Sequence, residues 1–205
     1  MGRTAGATAA ETRERLLRAA ADVFAGRGYQ GTRVSDIADA AGVSNGALYA
    51  YFSSKAELLV GALRAHGRRQ LADLVAADPA RSIPDLLLET GRSLRGRPEA
   101  DAFLVIEALV AARRDQDVAG PMRDYVRERA DWLAALVGEA QSRGELDPAL
   151  PRRAVAHLCL SLAVGAALVT TDVDDVDDDE WTDVLVWLVA AFVPAHTGEQ
   201  MGTDA

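Results

Sequence analysis

The chain has 205 residues, 49% hydrophobic and 5% aromatic, and can therefore bury a large core without covalent staples. Its one cysteine, Cys159, excludes an intrachain disulfide, and no apolar signal core or membrane-length apolar run is found, the longest being Ala154 to Val169 with His157 inside it, so a cytoplasmic protein that does not span a membrane is expected. The net charge of −9 hides an asymmetry, ten Lys or Arg against six Asp or Glu in residues 1–69 and twelve against 25 in residues 70–205, so that a positive segment is set to meet phosphate while the acidic remainder is repelled from it.

Taken in chain order, the first predicted helix runs from about Ala9 to Ala25, with Leu16, Leu17, Ala20, Val23 and Phe24 as its apolar face. Thr8 and Glu11 form a capping box at its start, and Gly26-Arg27-Gly28-Tyr29 offers a left-handed stop. Residues 31–59 then spell a helix-turn-helix. Val34, Ile37, Ala38 and Ala41 repeat at helical spacing before the turn, and Val43, Ala47, Leu48, Tyr51 and Phe52 turn toward the same small core after it. Two helices crossing steeply need a small residue at their contact and a glycine where the backbone reverses; Ala38 and Gly42 supply them. Ser44 is placed to cap the second helix of the pair, leaving Asn45 and Gly46 in an exposed first turn of the kind a recognition helix points into the major groove. Ser54-Lys55-Ala56-Glu57 reads as the capping box of the next helix.

With this frame the sequence resembles the TetR family of transcriptional regulators. The residues that carry the match are Leu16, Ala20, Phe24, Gly28, Tyr29, Thr32, Val34, Ile37, Ala38, Ala41, Gly42, Val43, Ser44, Gly46, Leu48, Tyr49, Tyr51, Phe52, Lys55, Leu58 and Leu59. The likeness is specific over roughly the first 65 residues and architectural beyond them.

After the head, the pattern stays helical. A fourth helix is predicted from Lys55 to Ala77, ended by Asp78-Pro79, because the residue before a proline is driven from helical geometry. Further helices are predicted over Ile83 to Leu94, Glu99 to Arg114, Pro121 to Arg143, Pro151 to Thr170 and Trp181 to Pro194, with Pro121 and Pro151 in first turns and Gly144 as a stop. Met1 to Ala7 and Thr197 to Ala205 are small and polar enough to lack fixed structure. The expected fold is all-α: a three-helix head over residues 1–54 and a ligand-binding and dimerisation bundle over residues 55–205, about nine helices in all. The last two long helices are apolar on more than one face and need cover on both, from their own domain and from a second copy of the chain. The alternative is a pair of core helices within one chain.

DNA contacts are expected from Asn45, Gly46 and Tyr49 toward bases, with phosphate open to Asn45 and to the Tyr49 hydroxyl as well, and from Thr32, Arg33, Ser44, Tyr51 and Lys55 toward phosphate. Ser44 serves equally as a cap alone, and Tyr51 as a packing residue alone. The resemblance implies a homodimer joined through the last two long helices, a double-stranded palindromic operator, and a small-molecule effector enclosed by the middle helices. It further implies repression relieved by that effector through the Lys55 to Ala77 helix. Phe103, Glu107, Met122, Tyr125, Arg129, Trp132 and His157 are pocket candidates, with ordinary core or surface roles as the alternative.

No cofactor or metal is expected. His66, His157, His196 and Cys159 have no zinc-site spacing, and the acidic run from Asp172 to Glu180 lacks the glycine and terminal acid of a calcium loop, so it is read as a solvated connection. No phosphate-cradling glycine loop or nucleophile motif is seen, so no enzymatic activity is expected. The second function class is a small-molecule-binding helical protein, a sequestering module or an enzyme without a recognised motif, with a degenerate head.

Overall fold

Caps written in the sequence start most of the helices. In the computed structural model, residues 8–78, 81–96, 99–169 and 176–194 are described, and among them are nine helices and no strand. These are α1 (Ala9–Gly31), α2 (Val34–Ala40), α3 (Asn45–Tyr49), α4 (Lys55–Ala77), α5 (Ile83–Ser93), α6 (Glu99–Arg114), α7 (Gln116–Ser142), α8 (Arg152–Leu168) and α9 (Asp178–Ala190). The all-α expectation holds. The Thr8 box is formed in both directions, Glu11 N–H donating to Thr8 Oγ1 at 3.2 Å and Thr8 N–H to Glu11 Oε2 at 2.6 Å. Ser82 caps α5 in one direction, its hydroxyl oxygen accepting from Asp85 N–H at 3.2 Å.

Several boundaries differ from those expected, each for a local reason. The break in α1 falls at Gly28 (φ 70, ψ 168), and a last turn carries the element on to Gly31. At α4, Glu57 N–H donates to Ser54 Oγ at 3.1 Å, but the Glu57 carboxylate reaches past Ser54 to Ser53, accepting from its backbone N–H at 2.7 Å and its hydroxyl at 2.8 Å. α7 starts at Gln116, where Asp115 caps by accepting from Asp117 N–H at 2.9 Å, so Pro121 sits inside the helix instead of in its first turn. Pro151 is the residue before α8 and not its first member. The expectation of a solvated loop through the acidic run is corrected in its second half. Asp177 caps α9, and Asp178, Asp179 and Glu180 form its first turn, where negative charge meets the positive end of the helix dipole. Residues 170–175, His196 and the chain ends Met1 to Ala7 and Thr197 to Ala205 lie outside the described residues.

The buried apolar residues form two clusters. The first joins Leu16, Leu17 and Phe24 of α1 to Ile37 of α2, Leu48 of α3 and Leu58, Leu59 and Leu63 of α4, and continues into Leu104 of α6 and Val118 of α7. The head is therefore packed directly on the body. The second cluster lies at the far end, where Ile83 and Leu86 of α5 meet Val137 and Ala140 of α7, Val155 of α8, and Leu146 of the connection between α7 and α8. α9 closes on α5 through Trp181, whose indole N–H donates to Gly91 O at 3.1 Å. A Cβ at Gly91 would stand 2.9 Å from Leu185 Cδ1, which is why the two helices approach so closely there.

Candidate nucleic-acid interface

The turn between α2 and α3 is built by backbone hydrogen bonds that only a residue with positive φ allows. Gly42 has φ +66; its N–H donates to Asp39 O at 3.0 Å, and Val43 N–H donates to Ala38 O at 3.0 Å. This paired arrangement satisfies the end of α2 and sends the chain away at a steep angle. Ala38, 1% exposed, lets the two helices close on each other at that point. Ser44 then caps α3, accepting from Ala47 N–H at 3.2 Å. Leu48 is fully buried and pins the five-residue helix to the core, while Asn45, Gly46 and Tyr49 face outward, Tyr49 with 55% of its surface exposed. A rigid base under an exposed polar face is what reading a groove requires.

Around this face the predicted phosphate contacts separate into two groups. Arg33 is exposed at the start of α2, its N–H held by Asp36 Oδ2 at 2.9 Å, and Ser44 is exposed at the start of α3. Tyr51 is half-buried and packs against the first cluster. Thr32 and Lys55, by contrast, are turned inward. Thr32 is 2% exposed and its hydroxyl donates to Gly28 O at 2.7 Å. The Lys55 ammonium donates to Tyr29 O at 2.8 Å and Thr32 O at 3.1 Å, and stands 4.2 Å from the centroid of the Tyr29 ring. Their side chains fasten the start of α4 to the end of α1, beside the helix-turn-helix.

The same corner of α1 is held from the body. Tyr29 N–H donates to Glu107 Oε1 of α6 at 2.5 Å, and the Tyr29 hydroxyl donates to Asp115 Oδ2 at 3.0 Å, at the joint of α6 and α7. Burial first, and Asp115 second, push the Tyr29 hydroxyl well above the ordinary phenol range, so it keeps the proton it donates. Glu107 and Asp115 are thus junction residues that sequence reasoning missed in that role. Contacts spanning about eighty residues carry no local signal.

A cavity of about 370 Å³ lies in the body between α4, α5, α7 and α8. Gly67 of α4, Leu86, Leu87 and Thr90 of α5, Arg129, Trp132 and Leu133 of α7, and Cys159, Leu160 and Leu162 of α8 are among its walls. Of the pocket candidates, Arg129 and Trp132 line it, whereas Tyr125 packs against the first cluster, its hydroxyl 3.4 Å from where a Cβ on Gly67 would be. The others lie elsewhere. Met122 is buried in the first cluster, Glu107 holds Tyr29, Phe103 is exposed on α6, and His157 is exposed on α8. The missed walls on α5 and α8 come from leucines whose helical spacing fits a plain core equally well.

Comparison with known proteins decides what this arrangement belongs to. The family model for bacterial regulatory proteins of the tetR family matches residues 16–62, which hold the whole helix-turn-helix. The HTH-type transcriptional repressor KstR2 of Mycolicibacterium smegmatis is 31% identical over 151 residues, 67% of this chain and 71% of that protein. The chain belongs to the TetR family. The HTH-type transcriptional regulator UidR of Escherichia coli is 26% identical over 154 residues, 75% of this chain and 79% of that protein. A TetR-family regulator from Rhodococcus sp. has the same fold, with a TM-score of 0.78 and 24% identity over 90% of this chain and all of that one. The chain is accordingly a helix-turn-helix transcriptional regulator of the TetR family. Among the described residues, no helix is long and apolar enough to cross a membrane.

Proposed function

We propose that this regulator binds a palindromic operator as a homodimer and releases it when a small molecule occupies the body cavity, acting as a repressor of its own or a neighbouring gene in the cytoplasm. The observation that carries the DNA reading is the exposed start of α3 on its buried Leu48 anchor, with Arg33 beside it. Asn45, Gly46 and Tyr49 are assigned to bases, and Arg33, Ser44 and the exposed edge of Tyr51 to phosphate. Thr32 and Lys55 are assigned to positioning. The division of labour falls between residues 54 and 55, the head reading DNA and the rest sensing and dimerising.

Dimerisation through α8 and α9 is supported by apolar side chains left uncovered on both: Leu158 and Leu168 on α8, Val184 and Trp187 on α9. Trp187 is 75% exposed, a large apolar loss unless a second copy covers it. Effector release is supported by Gly67, which places the wall of the cavity on α4, the helix that begins at Lys55 under the reading head. An effector that binds the DNA-incompetent state better, typically by about 1–3 kcal/mol, shifts the equilibrium that far.

The test is a salt series of binding to duplex DNA from upstream of the regulator's own gene. Arg33→Ala should weaken binding to every sequence and lower the slope of log affinity against log salt by about one unit. An unchanged slope would remove Arg33 from the phosphate contacts.

A further inference from the structure

We infer that the body cavity takes an apolar molecule carrying one carboxylate, which Arg129 receives. This deepens the proposed effector reading and rests on it. Among the described lining residues Arg129 bears the only charge, set in a wall otherwise made mostly of leucine, alanine and glycine. The hydroxyl donors on α5 are already used within the helix, Thr90 donating to Leu86 O at 2.7 Å and Ser93 to Thr90 O at 2.8 Å. They offer a ligand no free proton.

Arg129 differs from the arginines around it. Arg64 holds Glu128 in a two-point bridge, at 2.8 and 3.0 Å; Arg127 pairs with Asp124 at 3.1 Å and Arg153 with Asp131 at 3.2 Å. The acids nearest to Arg129 in the sequence are therefore committed elsewhere. Its own contact is the face of Trp132, with 5.3 Å between the guanidinium carbon and the ring centroid. That stacking holds the planar group in place without neutralising it. A half-buried guanidinium beside an apolar hollow is costly alone and is matched by a carboxylate in fork geometry. A quaternary ammonium meets the wrong charge beside an indole that Arg129 already covers on one face. The volume, about 370 Å³, is near the lower end of the range for ligand pockets, so the apolar body is compact or a chain of moderate length.

The experiment titrates the full-length protein with decanoate, decan-1-ol and decyltrimethylammonium, which share a tail and differ in head group. It is repeated with Arg129→Met, which keeps an apolar stem, and Arg129→Lys, which keeps the charge. Alkylation of Cys159 in the cavity wall is followed in parallel as a report of occupancy. Decanoate should bind at least about tenfold more tightly than decanol, the difference expected of a charged hydrogen bond. Arg129→Met should erase that difference and leave decanol unchanged, which also verifies the fold of the variant. Arg129→Lys should retain part of it, and decanoate should slow alkylation of Cys159. Equal affinity for decanoate and decanol in the wild type, or decanoate binding indifferent to Arg129→Met, would overturn the carboxylate inference while protection of Cys159 by decanol left the cavity reading standing. Failure of all three probes to bind or to protect Cys159 would overturn the inference and the cavity reading together.

Discussion

At the scale of single residues, the head separates exposed side chains on α3, proposed to face DNA, from those that fasten α4 to α1, and the two groups should fail differently. Lys55 gives its charge to two backbone carbonyls at the end of α1. Replacing it by methionine removes charge-assisted bonds worth about 1.5–3 kcal/mol together, an upper range for a half-buried group. Lys55→Met should therefore lower the melting temperature by several degrees and weaken binding to all duplexes alike, as melting curves and binding isotherms will show. Tyr49→Ala and Asn45→Ala should leave the melting temperature near the wild-type value and change the preference among sequences instead. A Lys55→Met protein as stable as wild type would contradict the positioning role. Lys55 also marks a limit of the sequence. Its place at the start of a helix was legible, but a lysine beside a DNA-reading segment carries the same letter whether it faces phosphate or a carbonyl 26 residues earlier.

At the scale of elements, caps and turns were the most legible features, because each is a short-range contest that nearby residues decide. Thr8 with Glu11, Gly42 with its paired hydrogen bonds, and the ends of α4 stand where the sequence places them. Pro121 and the acidic start of α9 did not, since Asp115 and Asp177 supply caps farther upstream than the prolines and tryptophan used as markers. The start of α4 has a pH signature. Ser53 N–H and then its hydroxyl hold the Glu57 carboxyl below the usual glutamate range, with Arg13 adding a smaller favourable charge. A depressed folded value means that the bond stabilises the fold above the ordinary glutamate range and is lost as pH falls through the lowered one. Glu57 is exposed, so the effect is small. Wild type should exceed Glu57→Gln in melting temperature at neutral pH, with the gap closing at a pH well below the ordinary glutamate range. A gap that persists at that pH would point to packing instead of the carboxylate.

At the scale of the molecule, one continuous cluster runs from the head into α6 and α7, and Tyr29 ties α1 to Glu107 and Asp115. The head is therefore coupled to the body through α6 as well as through α4. This could not be read from the sequence, in which these partners are about eighty residues apart. The all-helical class was legible from periodicity, whereas the walls of the cavity were not, because a leucine lining a hollow and a leucine filling a core obey the same spacing. The uncovered faces of α8 and α9 give a prediction for the assembly. Trp187→Glu should convert the proposed dimer to a monomer in sedimentation and cost at least about a hundredfold in operator affinity, because one half-site contact is lost; a Trp187→Glu dimer of unchanged mass would place the interface elsewhere. The central claim, a dimer reading DNA through α3, is tested most directly by selecting binding sites from random duplex DNA with the purified protein at near-physiological salt. The account predicts a palindrome whose half-site centres lie about one helical turn apart, roughly 34 Å, and whose bases change with Asn45 and Tyr49. Absence of enrichment over input from protein shown to be folded and dimeric would contradict it.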